Sequence, residues 1–149
     1  MKAKEFLLQL KKLDVMITNK LIEKEQWKLI ASGTTAMVGG ERVQSSGSQQ
    51  KMADAVVRYI NIEQEIDMVI DTLVDAKKDV ISVIEQLNPT EYDVLHKIYV
   101  QYMSLSDVAD MYDDKKYSAI TTIHGRGIKH VQDILDRREK PCTKEELKI

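Results

Sequence analysis

The side chains of this chain that could do chemistry fall into two sets, and only one has useful spacing. His96, His124, His130 and the single cysteine, Cys142, show no ligand-like spacing to one another. No phosphate-cradling glycine loop accompanies them, so neither a catalytic constellation nor a metal or cofactor is expected. The second set lies between residues 115 and 129. Lys115 and Lys116 precede Ser118, Ala119, Thr121, Thr122, Arg126 and Lys129. On a helix turning about 100° per residue, Ser118, Thr122, Gly125, Arg126 and Lys129 share one face, with Ala119 and Thr121 at its edges. The opposite face carries Ile120, Ile123, Ile128, Val131, Ile134 and Leu135. Arginine and lysine reach phosphates or guanine, hydroxyls bond bases or backbone, and small residues permit close approach to a duplex. That chemistry is recognition of double-stranded DNA.

Charge has to be judged by segment, because the whole chain of 149 residues carries a net charge of only −2. Residues 115–140 hold seven basic and three acidic side chains, a local concentration of the sign that phosphates require. His124 falls on the apolar side of the helix and is expected to pack. Gly127 lies on the same side, where it should let this helix approach the one bearing Val108 and Ala109. Gly125 points outward.

Two shorter helices must position this face. Asn88-Pro89-Thr90-Glu91 starts one of them, with Asn88 or Thr90 as cap, proline in the first turn and an acid near the positive end of the dipole. It is predicted to run to about Met103 and to bury Val94, Leu95, Ile98 and either Tyr99 or Tyr102. Ser104 then caps a short helix with Leu105, Val108, Ala109 and Tyr112 on one face. Asp113 to Tyr117 form a turn, and Ser118 caps the last helix. A short helix, a short turn and a longer helix make a helix-turn-helix.

Upstream, Ala3 to Ala31 lacks proline and glycine and repeats Phe6, Leu10, Leu13, Ile17 and Trp27 at helical spacing, Leu7 and Leu21 widening the stripe. Ser32-Gly33 should close it. Residues 32–50 gather four of the six glycines and read as a long connector. A second helix, from Gln49 or Lys51 to Leu87, carries Tyr59, Ile62, Ile66, Val69, Leu73, Ala76, Val80, Val83 and Leu87 at alternating three and four spacing. Residues 1–31 hold seven lysines and four acids, whereas 51–87 hold four basic and eight acidic residues. Complementary signs favour an antiparallel hairpin.

The predicted fold is therefore all-α: a long antiparallel, coiled-coil-like helical hairpin over 1–87, a helix-turn-helix domain over 88–140 and a flexible tail over 141–149. Ile60, Ile70, Val74, Ile81 and Ile84 make the stripe wider than a two-helix seam needs. A homodimer through the hairpin, or RNA polymerase, is the expected cover. With one cysteine, no signal peptide and no apolar run of about 18 residues, a cytoplasmic location and no membrane partner are expected.

Leu87 to Leu135 resembles region four of bacterial sigma factors, LSDVADMY standing for the first motif helix and YSAITTIHGRGIKHVQDIL for the recognition helix. More widely, residues 1–138 resemble the ArpU-like and RinA-like regulators of phages and prophages of Gram-positive bacteria. That likeness rests on the amphipathic N-terminus, the ERVQSSGSQQKMADAV segment from Glu41 to Val56, the acidic second helix and the tyrosine-serine, histidine, glycine ending. It implies a transcriptional regulator of phage late genes, acting at a promoter or beside RNA polymerase, with DNA contacts at Ser118, Ala119, Thr121, Thr122, Arg126 and Lys129. Tyr117, Ala119 and Thr121 stand where sigma factors carry early arginines, so the ordinary minus-35 element is not implied. A small terminase subunit, binding packaging sites as a ring, is the alternative. A third reading is an interaction protein with a vestigial helix-turn-helix.

Overall fold

In a computed structural model, which describes residues 1–33 and 46–140, every regular element is helical. The helices are α1 (Ala3–Ala31), α2 (Ser46–Ile84), α3 (Pro89–Leu95, continued by a π-helical turn, His96–Val100), α4 (Leu105–Met111) and α5 (Tyr117–Glu139). Gly33 closes α1 at a φ of 67°, its amide donating to the Ile30 carbonyl at 3.2 Å. The α2 backbone is helical from Ser46, before the expected start at Gln49 or Lys51. The rest of the expected connector, 34–45, and the tail, 141–149, lie outside the described residues. No helix among the described residues is long and apolar enough to cross a membrane.

The chain divides into two compact units, residues 12–74 and residues 1–11 with 75–149. Within 12–74, α1 and α2 run antiparallel as a helical hairpin. Ala55, Ile62 and Ile66 are buried between them, and Leu13, Ile17, Trp27, Val69 and Leu73 are half-buried. The opposite signs of the two helices meet here as ion pairs: Lys20 to Glu65 at 2.9 Å, Lys24 to Glu63 at 3.0 Å, and Arg58 to Glu23 and Glu65 at 3.3 and 3.1 Å. Solvent reaches all of them, so each adds little to stability and acts chiefly on orientation and register. Lys20 and Lys24 occupy the inward positions of this stretch, their stems covered and their heads paired. For that reason Leu21, expected to widen the stripe, is left 49% exposed.

The other unit is built around α5. The first residues of α1 are tied to it: the Ala3 amide donates to Gln132 Oε1 at 2.8 Å, and the N-terminal ammonium pairs with Glu139 at 2.9 Å. Ala3, Phe6, Leu7, Leu10, Val80, Val83 and Ile84 are buried in the same unit. The expected domain boundary at residue 87 therefore runs inside a compact unit. Asn88 caps α3, its Oδ1 accepting from the Glu91 amide at 2.9 Å, and Pro89 follows where a missing N–H costs nothing.

The helix expected to reach Met103 changes pitch at His96 and ends at Val100. The Gln101 amide reaches back five residues to the His96 carbonyl at 3.0 Å, and Tyr102 takes a φ of 60°. This extra residue per turn settles the choice between the two tyrosines: Tyr99 is 7% exposed and Tyr102 41%. Ser104 then caps α4 as expected, and Asp107 completes a capping box with it.

Gly127 answers to a different neighbour from the one expected. A Cβ there would stand 3.0 Å from Cδ1 and 3.2 Å from Cγ of Leu95, so the close approach is to α3 and not to the helix of Val108 and Ala109. Leu95 is fully buried and its branch point cannot swing away. Gly127→Ala should therefore destabilise the fold by about 1 kcal/mol or more, overpacking outweighing helix propensity. A Cβ at Gly125 meets nothing within 4 Å, so Gly125→Ala should stabilise by up to about 1 kcal/mol. Opposite shifts of the thermal midpoint in the two variants check this pair.

Candidate nucleic-acid interface

The helix-turn-helix rests on a small apolar centre. Val94 of α3, Val108 of α4 and Ile120 of α5 are completely buried, with Ile98, Met103, Leu105, Ala109, Tyr112 and Ile123 packed against them. This packing turns one face of α5 inward, where Gly127, Val131, Ile134 and Leu135 are also buried. The other face is thereby committed to solvent. Lys116, Ser118, Thr121, Thr122, Arg126 and Lys129 are exposed on it or beside it, and Ala119 is half-buried at its edge. From Ser118 to Lys129 the face is about 16 Å long at 1.5 Å per residue, and a major groove about 12 Å wide admits such a helix.

The cations differ in how freely they are held. Among the described residues, neither Arg126 nor Lys129 has a carboxylate within ion-pair distance. Lys115 is half-buried, 3.4 Å from Asp114 and with its ammonium 5.1 Å from the centre of the Tyr112 ring. Further along α5, Arg138 is paired with Asp79 at 2.8 Å. Arg137, also exposed, donates only to the Asp133 carbonyl at 3.3 Å among the described residues, so Arg126 and Lys129 share the unpaired positive charge of α5 with it. The two threonine hydroxyls already donate within the helix, Thr121 to the Tyr117 carbonyl and Thr122 to the Ser118 carbonyl, both at 3.0 Å, and present their lone pairs outward.

Ser118 does not cap α5. The helix starts two residues earlier than that cap implies, at Tyr117, with Lys116 at the cap position and no side-chain cap. The extended backbone of Lys116 lets its carbonyl take the Ala119 amide at 2.9 Å, which places Ser118 inside the first turn.

His124 packs as expected, with a partner that the helical wheel does not name. Its Nε2 lies 2.8 Å from the Tyr99 hydroxyl, the rings stacked at 5.7 Å. Burial, and then the charge of Lys4, hold its pKa below the usual imidazole range, and the ring shares a hydrogen bond with the Tyr99 hydroxyl. A second link from α3 to α5 joins the buried Glu91 to His130, Oε2 to Nδ1 at 2.7 Å.

The turn between α4 and α5 is braced by Asp93 of α3, which accepts from both the Tyr112 hydroxyl and the Lys97 ammonium. Burial pushes the Asp93 carboxyl up, but these two bonds and the lysine charge outweigh it and hold the carboxyl below its ordinary range. The Tyr112 hydroxyl is pushed up to about 12, by burial first and then by Asp93. The sequence placed Tyr112 among the apolar residues of α4. Its spacing to Asp93 and Lys97 crosses an element boundary, so periodicity could not expose the bond.

Acids also stand close to the proposed face. Asp107 is spent in the α4 capping box and Asp114 leans on Lys115, whereas Asp110 and Asp113 are exposed and would lower the local affinity for phosphate. Among the described residues no group of three or more histidine, cysteine, aspartate or glutamate side chains could hold a metal ion. No family model, curated protein or solved structure matches the chain.

The burial of His124, with the charge of Lys4 beside it, makes stability depend on pH. An unfolded imidazole titrates near about 6.5, while the folded one resists protonation. Stability is fully present above that value and falls with pH below it, until folded His124 also takes up a proton. His124→Gln keeps an acceptor for Tyr99 without a titrating group. Its thermal midpoint should drop less than that of the parent between about pH 7 and about pH 5. Equal drops would refute the assignment.

Proposed function

We propose that this chain binds double-stranded DNA through α5 and serves as a transcriptional regulator of phage or prophage late genes, working at a promoter or beside RNA polymerase. It is a binding protein and not an enzyme. The observation that carries the DNA part is the outward face of α5, where Arg126 and Lys129 stand exposed without a carboxylate partner among the described residues, between small and hydroxyl side chains. A short capped helix and a tight turn precede it, the order in which a recognition helix is presented to a major groove. Lys116 extends the cationic surface to the start of the helix, and Lys115, braced on Tyr112, adds a second cation there. Support for the late-gene role is the sequence resemblance to sigma region four and to the ArpU-like and RinA-like regulators.

Arg126→Ala and Lys129→Ala should each weaken duplex binding and lower the slope of log affinity against log salt by about one for each phosphate no longer neutralised. Fluorescence anisotropy across a salt series, with circular dichroism to verify folding, measures both. Unaltered affinity in both variants would sink the assignment of this face. Selection of bound duplexes from a random pool tests the sequence-specific part, since a regulator enriches a motif and a non-specific binder does not.

Asp113 provides a test of opposite sign. Asp113→Asn removes an exposed carboxylate ahead of α5 and should tighten binding roughly twofold at low salt, an advantage that fades as salt screens it. A gain that persisted at high salt would mean that Asp113 acts through structure and not through charge.

A further inference from the structure

Among the described residues, thirteen of the eighteen large apolar side chains left substantially exposed lie between residues 12 and 74. On α2 they form a second stripe, distinct from the one in the hairpin seam. Val56, Ile60, Glu63, Asp67, Ile70 and Val74 follow one another at spacings alternating four and three, which is how a helix packs lengthwise on another helix. The four aliphatic members are 43%, 48%, 40% and 45% exposed in chain order. Over about 27 Å of helix, the hairpin leaves them half uncovered.

This stripe reads the same from either end. About Glu65, Val56 is matched by Val74, Ile60 by Ile70 and Glu63 by Asp67, each pair at equal distance from the centre. We infer that the occupant of the stripe is the same stripe on a second copy of this chain, α2 packing antiparallel on α2 about a two-fold axis at Glu65. A contact between identical surfaces requires each residue to meet its counterpart reciprocally. Here Val56 meets the partner's Val74, and Ile60 meets the partner's Ile70. An unrelated partner would place no such demand on the order of residues.

The central layer is acidic on both copies, a cost that the apolar ends of the stripe have to outweigh. Asp67 faces the partner's Glu63. Within its own chain Glu63 is held by Lys24 at 3.0 Å, which also holds its carboxyl below the ordinary range. Each carboxylate pair at the axis is thus flanked by a lysine. The acids keep the middle of the contact polar and fix its register, since a slip of one heptad would set Glu63 or Asp67 against an isoleucine or a valine. The inference stands apart from DNA binding and would survive its failure.

Sedimentation equilibrium of the full chain across micromolar concentrations should return the mass of two chains in reversible equilibrium with one. The double variant Ile60→Glu, Ile70→Glu should sediment as a single chain with its helical circular dichroism retained, because both positions are half exposed within one chain. Asp67→Lys turns two like-charge pairs per dimer into opposite-charge pairs and should tighten association roughly fivefold at low salt. It deletes no apolar side chain, so it decides the matter even if the double variant unfolds. A single-chain mass at every concentration overturns the inference. So does a larger assembly, a dimer indifferent to the two glutamates, or one unmoved by Asp67→Lys.

Discussion

With no side chain at position 127, α5 lies directly against Leu95 of α3, and what the C-terminal helices offer to a partner follows from that approach. Leu95 is fully buried and a single added carbon would press on its branch point. Close packing of this kind fixes the rotation of a helix about its axis, because neighbouring side chains leave few other ways to fill the space. Once the Gly127 edge and Ile120 are turned inward, Arg126 and Lys129 have nowhere to point but outward. The exposed face is a consequence of the buried one.

Polar pairs fix what apolar packing leaves free. Tyr99 with His124, and Glu91 with His130, connect α3 to α5, while Asp93 holds Tyr112 and Lys97 near the α4 to α5 turn. A half-made bond in such a place would cost on the order of 1–3 kcal/mol, and no buried side-chain nitrogen or oxygen among the described residues lacks a partner. These links are directional where hydrophobic packing is not. They set the angle between the two halves of the motif, while Val94, Val108 and Ile120 supply the driving force.

How much of this could be read in the sequence depended on whether a feature repeats along one element or joins two. The stripes of α1, α2 and α5, the Asn88 and Ser104 caps and the closing Gly33 are local or periodic, and apart from Leu21 they lie where the spacing placed them. The π-helical turn was hidden, since Tyr99 and Tyr102 are equally compatible with an unbroken helix and only the backbone bond to His96 separates them. The partner of Gly127 was mistaken because a wheel gives the direction of a face and not the identity of what meets it. Tyr112 and His124 were assigned to packing correctly, yet their bonds to Asp93 and Tyr99 span 19 and 25 residues, beyond any helical period. The outward set from Ser118 to Lys129 is exposed, which helical spacing alone could establish.

The hairpin unit shows the reverse division of labour. Four ion pairs occupy part of its seam, where Lys20 and Lys24 take positions that a coiled coil usually gives to apolar residues. Exposed pairs contribute little free energy apiece but reject a shifted register, because a slip of one heptad sets Lys20 against Arg58 or leaves it unpaired. Apolar residues also stand on a second face of α2 at the same alternating spacing, half exposed. A helix with two stripes carries more apolar surface than one neighbour can cover, and an excess of that kind on the surface of a folded unit points to an interface. In this chain the excess is ordered symmetrically about Glu65, and sequence symmetry on a single helix has a physical use when the surface it meets is its own copy.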